Sequence, residues 1–136
     1  MDKERIIAKN VPEAGKRDGS GIYIPAPVSN AIKFGNLVFT TAKPGRDPSG
    51  KLVDGIKAQT KQALDNIRDL LLAAGTDMEH VLKTSVYVTD IKYFDPMNEV
   101  YSTYFKVPPA RAFLVTHEGW FDPAQLIEIE VIAGVP

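Results

Sequence analysis

The sequence predicts an α+β domain in which one sheet is covered on a single face by two helices. Three observations predict it. The stretch from about Asp54 to Ala74 repeats apolar residues at helical spacing, and a shorter stretch around Met97 to Tyr104 does the same. Between and after them lie short runs of apolar and β-branched residues, punctuated by glycine, proline, asparagine and aspartate, as strands and turns require. No internal repeat or low-complexity tract breaks the pattern. With 136 residues the chain suits one hydrophobic core, so residues 1–136 are expected to form a single domain, with residues 1–25 partly irregular.

The elements follow in order. "VPEAGKRDGSGIYIPAP" has no sustained period and reads as a connecting segment or an insertion. "AIKFG" and "LVFTTA" flank Gly35-Asn36 and read as a hairpin. "KPGRDPSGKLVDG" is turn chemistry, built on Asp47-Pro48 and Ser49-Gly50. The long helix buries Ile56, Thr60, Ala63, Leu64, Ile67, Leu71 and Ala74 on one face, and Gly75 stops it. "TDME" resembles a capping box from Thr76 to Glu79. In "VLKTSVYVTD", Leu82, Thr84, Val86 and Val88 form the more apolar set and are expected to face the helices. Asp95-Pro96 reads as cap and first turn of the second helix, which should close near Phe105 with Met97, Val100, Tyr101 and Tyr104 on one side. Two strands, "ARAFLVTH" and "LIEIEVIAG", end the chain. Two helices on one face leave the other face of the sheet bare, which points to self-association.

Composition narrows the function. Sixteen basic and seventeen acidic residues leave a net charge of −1, so neither nucleic acid nor an anionic membrane is expected as a partner. The absence of cysteine removes disulfides, thiolate nucleophiles and cysteine-ligated metals. "MDKERIIAKN" has no apolar stretch behind its charges, and no apolar run approaches the ~20 residues of a membrane span; a cytoplasmic location is expected. His80 and His117 lack metal-ligand spacing, and His80 is expected at the edge of a turn. "GSG" at residues 19–21 lacks the lysine and strand–loop–helix setting of a phosphate loop, and no serine sits in a nucleophile elbow. No metal and no cofactor are expected.

Two features do carry chemistry. In "LIEIEVIAG", Ile127, Ile129, Val131 and Ala133 share one strand face, whereas Glu128 and Glu130 share the other, roughly 7 Å apart. A solvated sheet face accounts for such glutamates unless another subunit covers them. In "KVPPARAFLV", Arg111 opens an apolar run directly after Pro108 and Pro109. A rim ion pair would explain it. The sharper reading is that its planar fork grips a substrate carboxylate. If the strands of Arg111 and Glu128 pair, the two could line one pocket, with the glutamate directing water onto an electrophilic carbon such as an imine.

The ordered set "APVSNAIKFGNLVFTTAKPGRDPSG", "QTKQALDNI", "LLAAGTDMEHVLKTSVYVTDI", "MNEVYSTYF", "PPAR" and "IEIEVIA" resembles the Rid/YjgF/UK114 family of small imine and enamine deaminases, over about four-fifths of the chain. The resemblance implies a chorismate-mutase-like α+β fold with a mixed sheet. It also implies a homotrimer whose sheets form a central barrel, with sites in the clefts between subunits. It implies that Arg111 binds the substrate carboxylate, that Glu128 handles the attacking water, that Asn98 supports the site and that Glu130 is structural. The activity implied is hydrolysis of C=N bonds, turning 2-imino and enamine acids into 2-oxo acids and ammonia without a cofactor.

The chain departs from the family pattern near the pocket. It reads "APVSNA" where G-P-Y-S-Q-A is common, so Val28 stands where a pocket tyrosine is usual, and Tyr23 is a candidate substitute. Thr41 replaces the serine of S-G-Q and keeps its hydroxyl, with Ala42 and Lys43 after it. These changes leave room for a different substrate on the same fold, such as an aminomuconate-like acid, or for a trimer that only binds or senses a small carboxylate. A ribonuclease activity, sometimes attributed to relatives, is disfavoured by the balanced charge and the lack of a basic, aromatic stripe.

Overall fold

Every buried strand alternates into one helix-covered layer, and that alternation sets the architecture. The computed structural model describes residues 2–17, 23–117, 120 and 122–136. The strands are β1 (Glu4–Ile6), β2 (Gly15–Arg17), β3 (Tyr23–Pro25), β4 (Ala31–Phe34), β5 (Leu37–Thr40), β6 (Lys43–Pro44), β7 (Val81–Val88), β8 (Ala110–Val115) and β9 (Ile127–Gly134). The helices are α1 (Ile56–Ala73) and α2 (Phe94–Tyr101). The main sheet runs β1-β4-β5-β9-β7-β8, with β6 also pairing β9, while β2 and β3 form a separate ribbon. Among the described residues only β7 and β8 pair in parallel; the connection between them carries α2, as a parallel crossover requires. The sheet is therefore mixed, and the α+β expectation holds.

The helix-facing side of β9 is Ile127, Ile129, Val131 and Ala133, all buried, alternating with the partly exposed Glu128, Glu130 and Ile132. Thr84, Val86 and Val88 of β7 bury the same way, and Ala63, Leu64, Ile67, Leu70, Leu71 and Met97 close over them. Burying each large aliphatic side chain contributes about 1.5–3 kcal/mol before the entropy of ordering is charged against it. Gly45 lets α1 sit close on β6: a Cβ there would lie 2.5 Å from the Gln59 Cα. No helix among the described residues is long and apolar enough to cross a membrane.

Several local expectations are corrected. Leu82 does not face the helices; it is 54% exposed. A bulge between Val81 and Lys83 shifts the register, so Val81 turns inward instead. Thr76 is not the cap of the short turn at Met78–His80; Asp77 is, accepting from the Glu79 N–H at 3.0 Å, while the Thr76 hydroxyl donates to the Gly134 carbonyl. Asp95 is not the cap of α2. Asp90 caps a 3₁₀ turn, Ile91–Tyr93, that leads straight into the helix, so Asp95 and Pro96 lie in its first turn. Helix α2 ends at Tyr101 and a 3₁₀ turn, Ser102–Tyr104, carries the chain on to Phe105. Helix α1 starts after Gly55, without a side-chain cap, and Gly75 follows it at φ 87°. Residues 1–25, read as partly irregular, include β1, which pairs β4, and the β2–β3 ribbon.

Candidate functional site

Arg111 is the second residue of β8, the edge strand, in register with Thr84 of β7 and therefore on the helix side of the sheet. Its Nη1 donates to Asn98 Oδ1 at 2.7 Å. Its Cζ lies 4.8 Å from the centre of the Tyr101 ring, 5.7 Å from Phe94 and 5.9 Å from Phe113. Phe94, Asn98 and Tyr101 follow i, i+4, i+7 along α2, so one helical face supplies the amide and two of the rings. The Tyr101 hydroxyl is pinned by Thr84 Oγ1 at 2.7 Å, and burial, partly offset by Thr84 and Arg111, raises its pKa. Among the described residues no carboxylate lies within ion-pairing distance of Arg111. The rim salt bridge that would explain it blandly is absent there.

Glu128 stands elsewhere. It is opposite Tyr87 on β7 and Pro44 on β6, on the face away from the helices. Burial pushes its pKa up, against the Gln125 amide that donates to it at 3.4 Å; the nearby Glu130 adds to the rise. Glu130 accepts from the Tyr87 hydroxyl at 2.6 Å, a bond that fits the structural role expected of it. Between β5 and β6 the pairing with β9 slips by one residue, from Phe39↔Ile132 to Lys43↔Ile129. That bulge carries Thr41 and Ala42 on the strip of chain opposite Glu130 and Val131. The Thr41 N–H donates to the Asn30 carbonyl at 2.9 Å.

Behind Thr41, the buried Lys43 Nζ donates to Asn30 Oδ1 at 2.7 Å and to the Pro12 carbonyl at 2.9 Å. Its pKa is pushed down to about 8 by burial, with Glu13 pulling the other way. Val28 is exposed in the loop ahead of β4, with its N–H on the Ala26 carbonyl. The side chain of Tyr23 lies outside the described residues, so its candidacy as a substitute tyrosine does too.

The strands of Arg111 and Glu128 do not pair, contrary to the single-pocket expectation. β7 lies between β8 and β9, and the two side chains leave opposite faces of the sheet. One chain brings Arg111 to Asn98 but does not bring Glu128 to them. The rings around Arg111 were missed by sequence reasoning; the signal was present, because Phe94 and Tyr101 share a helical face with Asn98. Gln59 was also missed. Buried in α1, it donates to the Ala124 carbonyl and accepts from the Leu126 N–H, both at 2.9 Å, which fixes the chain just ahead of Glu128. His80 sits in the turn as expected, 2.7 Å from Asp77. Among the described residues no cluster of three His, Asp or Glu side chains could hold a metal ion.

A mixed sheet with a helical layer on one face and a cationic, aromatic-lined site on its edge strand defines a class of small α+β proteins. The pattern of the family described as Endoribonuclease L-PSP matches residues 22–135, and the chain belongs to this family, the Rid/YjgF family. A RutC family protein of Pyrococcus horikoshii is 40% identical over 134 residues, covering 96% of this chain and 97% of that protein. The human protein named 2-iminobutanoate/2-iminopropanoate deaminase is 39% identical over 110 residues, covering 79% of each chain. The crystal structure of a Rid family protein from Yersinia pestis superposes with a TM-score of 0.85 at 35% identity, covering 98% of this chain and all of that one.

Proposed function

We propose that this protein hydrolyses reactive 2-imino acids and their enamine tautomers to 2-oxo acids and ammonia, in a homotrimer whose sites form where two subunits meet. The observation that carries the reading is Arg111: a guanidinium held by a neutral amide oxygen and aromatic rings, with no carboxylate of the described chain to neutralise it. Such a fork fits a substrate carboxylate. The single chain holds two half-sites. Two strand spacings, roughly 10 Å, and a whole sheet thickness separate the Arg111 edge from the Glu128 face. A neighbouring copy that lays its open face beside the β8 edge would bring Glu128, Thr41 and Val28 to this chain's Arg111 and Asn98.

In that cleft the carboxylate pairs with Arg111, and Asn98 keeps the guanidinium in plane. Glu128 takes a proton from water as its oxygen attacks C2 of the imine. The proton returns to nitrogen to give the carbinolamine; Glu128 then takes the hydroxyl proton and passes it to the amine, so the C–N bond breaks and ammonia leaves as the C2 carbonyl forms. The raised pKa of Glu128 makes it a better base than an ordinary carboxylate and a competent acid for the return step. Thr41 offers a hydroxyl to the reacting end, and Val28 leaves its part of the wall apolar. Orientation supplies much of the acceleration, since an imine is already electrophilic.

The test is to generate 2-iminobutanoate in situ with a threonine dehydratase and follow its decay with and without the protein. Faster decay that disappears in Arg111→Ala supports the proposal. Binding of 2-oxobutanoate with no change in decay would leave a carboxylate-binding protein instead.

A further inference from the structure

We infer that the apolar surface beside Arg111 made by Phe94 and Phe113 receives the substrate's side chain, so that the protein favours 2-imino acids with branched or long apolar chains over 2-iminopropanoate. The inference rests on the deaminase reading and names its substrate class. The parallel register sets Arg111, Phe113 and Val115 beside Thr84, Val86 and Val88, so all three leave the same face of β8 at intervals of roughly 7 Å. Val86 and Val88 are fully covered by the helical layer, but β8 is the edge strand and its residues reach past that cover. Val115 is 50% exposed. Phe94 of α2 meets Phe113 edge-to-face, with centroids 5.0 Å apart, and remains 37% exposed.

The order along this surface is what selects a ligand. A cation comes first, then two rings. With Nη1 given to Asn98 and Tyr101 over the guanidinium, a carboxylate seated on Arg111 carries its own substituents toward Phe94 and Phe113. A methyl group is too short to cover much of the rings, whereas Val115, roughly 13 Å along the strand from Arg111, lies beyond the reach of a side chain of this size. A four-carbon branched chain or a benzyl group covers the Phe94 and Phe113 rings. Each methylene removed from water is worth roughly fourfold in kcat/KM, the equivalent of about 0.8 kcal/mol.

The experiment uses an L-amino-acid oxidase with catalase to make imines from alanine, leucine and phenylalanine, with semicarbazide trapping to follow their decay. In parallel, calorimetry measures binding of pyruvate and 4-methyl-2-oxopentanoate. The leucine-derived imine is expected to exceed the alanine-derived one at least tenfold in kcat/KM. Phe113→Ala should cut that ratio at least fivefold, and Phe113→Leu should restore most of it. A ratio near one, or a ratio that Phe113→Ala leaves unchanged while the oligomeric state shifts, overturns the inference; the second result would make the patch a subunit contact. If no imine decays faster but the branched oxo acid binds tenfold tighter than pyruvate through Phe113, the deaminase reading fails and the side-chain site stands.

Discussion

Lys43 offers a stability test that needs no substrate. The residue is 4% exposed, its ammonium is held by two oxygens, and its pKa falls from 10.5 to about 8 because burial strips its hydration. In the unfolded chain the group titrates near 10.5. Between pH 8 and 10.5 the unfolded state thus binds more protons than the folded one, and stability rises with pH across that window. Below pH 8 both states are protonated and the full penalty, about 3 kcal/mol, is present. Lys43→Met keeps the stem and deletes the charge. At pH 7 it relieves that penalty but takes a donor from Asn30 and Pro12, at about 1–3 kcal/mol for each orphaned group, so the net change there is small and uninformative. The slope is informative. From pH 7 to 9.5 the wild type should gain about 2 kcal/mol relative to Lys43→Met, measured by urea unfolding at one fixed protein concentration. The window stops below pH 10 because Tyr87, Tyr101 and Tyr104 have raised pKa values, and their stabilisation is lost as pH rises above 10. Parallel curves, within about 0.5 kcal/mol, would mean that Lys43 titrates near its ordinary value. The argument from burial would then be refuted.

The remaining predictions concern the site. Arg111→Lys should lose about 10²–10³-fold in imine-decay kcat/KM, nearly as much as Arg111→Ala, because an ammonium cannot replace a bidentate fork; recovery to within threefold would refute the fork. The acid limb of the pH–rate profile should lie above the ordinary carboxylate value of 4.5, since burial raises the pKa of Glu128; Glu128→Gln should abolish that limb and lower kcat more than it changes KM. Refolding a one-to-one mixture of Arg111→Ala and Glu128→Gln should restore about a quarter of the wild-type sites if each site draws Arg111 and Glu128 from different protomers, and none if both come from one. Gln59→Leu orphans the Ala124 carbonyl and the Leu126 N–H, so thermal or urea unfolding should show a loss of about 2–4 kcal/mol.

The periodic parts of this fold were legible because periodicity reports burial. Strand β9 matched residue for residue, and helix α1 matched in extent and in most of its stripe, though Gln59, Asn66 and Leu70 are buried too; an apolar stripe on one face can be satisfied only by a layer on that side. The failures are places where one residue of slippage decides. In β7 the bulge after Val81 turns Leu82 outward, and alternation alone cannot say where a strand inserts an extra residue. Thr76 and Asp95 lost their expected capping roles to Asp77 and Asp90, because several residues nearby could cap and the backbone path chooses among them.

The site was legible as residue types and illegible as a place. Arg111 and Glu128 each look out of keeping with an apolar strand, and that discord marked them. Sequence order then encouraged the assumption that consecutive strands pair, which held for β4 and β5 and failed for β8 and β9. Strand β7 joins the two by pairing β8 in parallel on one side and β9 antiparallel on the other, and this puts the arginine and the glutamate on opposite faces. With Arg111 and Glu128 on opposite faces, a single chain cannot present both to one small ligand. If the chemistry is that of an imine deaminase, a second copy must complete the site, and the bare face of the sheet is the surface it has left for doing so.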